Sequence, residues 1–164
     1  MQKQVETVAL LLEEKIEAAS AWSVLSKIKN VYRGDPLIIN QSSLPALIVR
    51  TPNAQVTARD NNRDTRVYNM QIRYVYNIRD KMGNPNQKNN AFEVDANNMF
   101  IAEVDANGCL SDDCIVKILR DDEAIRAIGK IQTNFSVIWE YTDVRGYLSF
   151  ESSLNFDIIQ IGCR

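Results

Sequence analysis

The densest groups of chemically active side chains in this sequence are acidic: Asp112-Asp113 and Asp121-Asp122-Glu123. Carboxylates hold metal ions for hydrolysis when they converge from different elements, usually beside a Lys or His. Carboxylates adjacent on one helix diverge, so these groups read as charged helix ends that complement the macrodipole. The chain has no histidine, which removes Ser-His and Cys-His pairs from consideration. Cys109 and Cys114, with Cys163 distant, lack zinc-ligand spacing and a fourth soft ligand. Cys114 reads as a small core residue on a helix, and an odd number of cysteines argues against a secreted disulfide framework. Dinucleotide and phosphate-loop glycine patterns are absent. The segment Glu93-Val-Asp-Ala-Asn97 recurs at 103–107, and Asp105-Ala-Asn107-Gly108 spaces two oxygen ligands two apart. The calcium-loop spacing and its terminal Glu are missing, so a solvated helix face is the better reading. No catalytic, cofactor or metal residues are assigned, and the chain reads as a non-enzyme.

Charge is distributed unevenly. The formal net charge is −2, yet residues 50–88 hold eight Lys/Arg against three Asp/Glu, a balance of +5. Residues 89–125 hold two Lys/Arg against nine Asp/Glu, a balance of −7. Such blocks pair either within the monomer or between copies, as in a head-to-tail contact. The basic stretch Arg59, Arg63, Arg66, Arg73 and Arg79 suits a phosphate backbone, and Tyr74 and Tyr76 suit base stacking. Both tyrosines, however, share the apolar face of a strand with Ile72 and Ile78. Interleaved Asp60, Asp64 and Asp80 also dilute the charge.

The elements that must position these groups are set by periodicity. Three stretches alternate apolar and polar residues: Tyr68 to Ile78, Ile131 to Tyr141 and Leu148 to Ile158. A period of two predicts strands with one face on a core. Val5, Val8, Ala9, Leu12, Ile16 and Ala19 predict a helix over 3–19. A second short helix is expected from Ser20, with Trp22, Leu25 and Ile28 on one face. Tyr32 to Pro36 is a turn by composition, Leu37–Ile39 a short extended piece, and Ala46–Arg50 a strand entered through Pro45. Thr51 to Asp64 is polar and irregular, a hairpin arm or a long loop with room for a short strand at 55–58. A second polar loop spans 79–90. Ala91 to Asn107 reads as a helix stopping at Asn107-Gly108, and Ser111 as the N-cap of another, with Cys114, Ile115, Ile118 and Leu119 on its apolar side. Asp143 to Gly146 reads as the hairpin turn between the last two strands. The expected fold is a single α+β domain over 1–164. Its mainly antiparallel sheet has about four to five strands, flanked by an N-terminal helix and one or two central helices. An arm or loop at 51–66 lies within it. No apolar run reaches membrane-spanning length, and the polar opening Met1 to Gln4 is not a signal peptide.

The stretch Tyr32-Arg-Gly-Asp-Pro-Leu-Ile-Ile-Asn-Gln-Ser-Ser-Leu-Pro-Ala-Leu-Ile-Val49 follows an amphipathic helix and precedes a polar arm and a long alternating strand. That arrangement resembles the tail-terminator and tail-completion (head–tail joining) proteins of tailed bacteriophages. The resemblance covers the element order of nearly the whole chain and residues 32–49 as a recognisable stretch. It implies a structural virion protein, commonly a hexameric ring. Such a ring caps the tail tube at its head-proximal end and meets the neck or connector and, in contractile tails, the sheath. DNA would be only a passive lumen contact, and the virion tail–neck junction, assembled in the host cytoplasm, the expected location. Other neck components, such as an adaptor or stopper, and a nucleic-acid-binding module are the alternatives. On the ring reading the candidate interface residues are Arg59, Arg63 and Arg66 on the arm. Their counterparts are Asp112, Asp113, Asp121, Asp122 and Glu123 at the helix ends.

Overall fold

Three strands of equal length carry the architecture. In the computed structural model the elements run α1 (Lys3–Ala18), β1 (Asn30–Arg33), β2 (Ala46–Asp60), β3 (Arg63–Asn77), α2 (Ala91–Phe100), α3 (Ile115–Asp121), α4 (Glu123–Ile128), β4 (Lys130–Ile131), β5 (Ser136–Thr142) and β6 (Ser149–Cys163). The structure describes residues 3–60, 63–77, 91–100, 107, 109–131, 136–142 and 149–163. The expected loop at 79–90, the second half of the helix expected over 91–107 and the turn at 143–146 lie outside the described residues.

The sheet order is β1-β2-β3-β6-β4, with β5 also pairing β6. Since β3 occupies one edge of β6 along its whole length, β4 and β5 share the other edge, at Ile158–Ile159 and at 149–155. The β1–β2 pair is parallel and the rest are antiparallel. The fold is therefore α+β with a mainly antiparallel sheet, as the periodicity predicts.

The helices cover one face of this sheet. Val5, Val8, Ala9, Leu11 and Leu12 of α1 pack with Leu47, Val49, Met70, Ile72, Tyr74, Phe150, Leu154, Phe156 and Ile158. Even-numbered residues of β3 and β6 supply that face, so the alternation in sequence is the alternation of the pleat. Ser152 shares the buried face of β6, and its hydroxyl has no partner among the described residues. The opposite face has a smaller core of Ile39, Leu44, Ala46, Ile48 and Val75. The run Ala46-Leu-Ile-Val49 is buried on both faces, which explains why it is continuously apolar.

Four expectations need correction. Tyr32 and Arg33 belong to a strand over 30–33 where composition suggests a turn from Tyr32 to Pro36, and the chain bends only from Gly34, whose φ is +82°. At 51–60 the hairpin arm holds and the loop does not: β2 runs through the whole segment rather than over 55–58 alone, with register shifts between Arg50 and Asn53 and between Ala58 and Asp60. Trp22 is 96% exposed, while Leu25 and Ile28 are buried around a 3-10 turn at Val24–Lys27 capped by Ser23. Ser111 does not cap α3. It closes a turn by accepting from the Asp113 amide, and α3 starts at Ile115 after Cys114.

Arg33 fastens the edge strand to α1. Its Nε donates to Glu6 Oε2 at 2.9 Å, and its two terminal nitrogens donate to Glu13 at 2.7 and 2.8 Å. The guanidinium holds the Glu13 carboxyl below its ordinary value of 4.5, mainly through these hydrogen bonds. A carboxyl with a lowered folded-state pKa adds stability above its unfolded pKa and loses it as pH falls through the folded value. The Glu13→Gln variant should therefore have a flatter acid limb in a stability–pH profile below about pH 4.5. At neutral pH it should lose only ~0.5–1 kcal/mol, because the pair is partly solvated. An acid limb identical to the wild type would rule this contribution out.

Candidate assembly interface

Residues 51–60 of β2, the matching half of β3 and the end of β6 form a three-stranded arm. Thr57 pairs Thr65 and Thr65 pairs Ile161; Val56 pairs Arg66 and Arg66 pairs Gln160. Pro52 to Thr57 are all exposed. No alternation marks this part of β2 because neither side of it faces a core.

The root of the arm is clamped on the sheet face opposite the helices. Arg50 Nε donates to Gln71 Oε1 at 2.6 Å, and Gln71 Nε2 donates to Asn155 Oδ1 at 2.9 Å. One register row across three strands is thus tied by side chains. Asp35 accepts from Arg50 at 3.0 Å and lies 3.6 Å from Arg73. Arg73 also lies 3.1 Å from Glu151, which is 2% exposed. Two rows outward, on the same face, Asn69 donates to Asp157 at 2.5 Å. These residues were legible only as the polar positions of alternating strands. The partners come from nonlocal register.

The acidic residues gather at the junction of α3 and α4. Asp112, Asp121 and Asp122 line a cleft of about 270 Å³ together with Lys15, Lys117 and Ile118. Asp112 accepts from Lys117, which holds its carboxyl below the ordinary carboxylate range and raises the Lys117 ammonium. Asp122 is the N-cap of α4, and its Oδ1 accepts from the amides of Ala124 at 2.8 Å and Ile125 at 3.4 Å. This satisfies amides that α4 cannot pair itself. Asp113 and Glu123 are exposed beside this group and do not line the cleft.

The structure does not bring the two predicted halves of the interface together. Arg63 is exposed and Arg66 half-buried on the arm, and among the described residues neither forms an ion pair with a carboxylate. Arg59 lies in β2, its side chain outside the described residues. The ion pairs that do form in the basic block, Arg50–Asp35 and Arg73–Glu151, take acids from elsewhere in the chain. In the acidic block Asp95 takes Lys27 and Asp112 takes Lys117. Tyr74 is buried and Tyr76 half-buried against the core, so they form no stacking platform.

Among the described residues no three metal-binding side chains converge. Cys114 is buried with its thiol on the Phe100 carbonyl at 3.2 Å, and Cys109 is exposed. No helix among the described residues is long and apolar enough to cross a membrane. Neither a family model nor a curated protein sequence matches the chain.

Proposed function

We propose that this protein is a structural subunit of a homo-oligomeric ring, commonly a hexamer, at the head-proximal end of a phage tail. There it ends tube growth and meets the neck, and it performs no catalysis. The observation that carries the ring is electrostatic. An arm bearing Arg59, Arg63 and Arg66 and an acidic helix junction stand on one chain, and no ion pair joins them within it among the described residues. A surface that meets a different surface on the next copy generates a ring when the rotation closes. The tail location rests on the resemblance carried by residues 32–49. A tail-tube subunit and a neck protein are the implied partners, with sheath protein added in a contractile tail.

Most of the arm can be removed with only Tyr68 of the core contacts disturbed. Asn53 pairs Asn69, so deletion of Ala54 to Asp64 leaves four residues, 65–68, to turn between them. The shortened chain is expected to fold and to stay a monomer by light scattering. The full chain is expected to form particles with a central hole in negative stain, alone or on addition of tail tube. Rings from the shortened chain would remove the arm from the assembly. A full chain that neither assembles nor binds tube ends would overturn the function.

A further inference from the structure

A cavity of about 410 Å³ opens at the end of the sheet where β1 and β2 begin and β3 ends. Lys29, Ser42, Leu44, Pro45, Tyr76 and Asn77 line it, and none of the candidate interface residues is among them. Its volume falls within the ordinary range for small-ligand sites, about 300–1,000 Å³. One wall is the 3-10 turn Gln41–Ser43, capped by Asn40, whose Oδ1 accepts from the Ser42 amide at 3.4 Å. Three hydrogen bonds tie this wall to the segment that enters β1. The Lys29 amide donates to the Pro45 carbonyl at 2.9 Å, and Asn30 Nδ2 donates to the Ser43 carbonyl at 3.0 Å. The third runs from Lys29 Nζ to the Ser42 carbonyl at 3.1 Å. Leu44 anchors the turn from below in the smaller core. The walls are thus fixed before any ligand arrives.

The position of the Lys29 ammonium is informative. Lys29 also borders a groove that holds Glu13 and Glu17 of α1, yet among the described residues no ion pair joins it to either. Its charge rests instead on the carbonyl of Ser42, a residue of the cavity wall. An ammonium has three N–H donors, so this bond leaves two for a ligand. The geometry points to a binding site for a carboxylate carried on an aromatic or branched apolar stem. Among the described residues Lys29 is the one charged side chain lining the cavity, which suits a single negative charge. A phosphate is more often met by the planar fork of an arginine or by several cations. Leu44, Pro45 and the half-buried Tyr76 offer apolar surface to the stem, and Asn77, 7% exposed, adds a polar wall. The inference is independent of the ring reading.

The test is a titration of the full chain with phenylpropionate, followed through the amide signals of Lys29, Ser42, Leu44, Tyr76 and Asn77. These should shift together and saturate in the millimolar range, as befits so small a ligand. Phenylpropionamide, with the same stem and no charge, should bind at least about tenfold more weakly, because the ionic hydrogen bond is lost. Lys29→Met should lose a similar factor. Lys29 is exposed, so this variant should fold as the wild type does, and the comparison of acid with amide needs no variant. A short peptide ending in a Phe carboxylate separates the two sources of such a ligand. Tighter binding of the peptide assigns the site to a chain end, and tighter binding of phenylpropionate to a free acid. Three results overturn the site: shifts that do not saturate, an amide that binds as tightly as the acid, or a folded Lys29→Met chain that binds like the wild type.

Discussion

Arg73→Met is expected to lower the unfolding free energy by about 3 kcal/mol, the low end for breaking a buried ion pair. Its partner Glu151 is 2% exposed, and the Arg73 side chain is 16% exposed. Methionine keeps most of the aliphatic volume, so the loss is electrostatic rather than a cavity. The carboxylate loses the cation 3.1 Å away. The network is not optimised for stability, because Arg73 Nε is buried with no hydrogen-bond partner among the described residues. Neutralising the partner should therefore recover part of the loss. Adding Glu151→Gln to Arg73→Met should stabilise it by about 1–3 kcal/mol, the range of coupling between contacting residues. Denaturant midpoints of the four proteins in the cycle measure this. A double variant no more stable than Arg73→Met would show that the pair is not what holds the face together.

That pair also shows where sequence reading stops. Arg73 and Glu151 stood out as polar members of alternating strands, and the pleat put them on the face away from the helices, as a period of two requires. Their proximity depends on β3 and β6 pairing in one register over 15 residues, which no local pattern encodes. Asp35 joins them from a loop after a parallel edge strand. That strand, Asn30–Arg33, has too few residues to show any period. The opposite failure occurs at 51–60. A strand exposed on both sides has no reason to alternate, so composition leaves a hairpin arm and a long loop both open there and marks only 55–58 as a strand. Trp22 misled for a third reason. Helical spacing predicts a shared face, but a 3-10 turn of four residues turns that spacing outward. The charged candidate residues were legible as blocks. Their separation within the chain was not, because it depends on nonlocal packing: Arg73 takes Glu151 and Asp95 takes Lys27, while Asp112 takes Lys117 close by.

Phe100→Ala should cost about 4 kcal/mol, within the range for truncating a fully buried aromatic ring. The reason lies in how little else holds α2 among the described residues. A helix of ten residues is too short to persist in water by itself. It stays folded because Ala96, Met99 and Phe100, at helical spacing, are fully buried in the main core. The other ties are light. Lys27 meets Asp95 at 2.9 Å with the lysine 55% exposed, which is worth under about 1 kcal/mol. The Cys114 thiol donates to the Phe100 carbonyl at 3.2 Å. Burial, with a smaller contribution from Asp95 on α2, pushes the Tyr74 phenol up, consistent with α2 lying over the centre of the sheet. Removing the ring should thus open α2 before the sheet. Amides at 96–100 should lose protection in hydrogen exchange by more than those of Phe150 to Ile158. Equal loss in both segments would mean that α2 and the sheet unfold as one unit. A global midpoint unchanged within about 1 kcal/mol would mean that the core closes over the missing ring, against the partial relaxation usual at such sites.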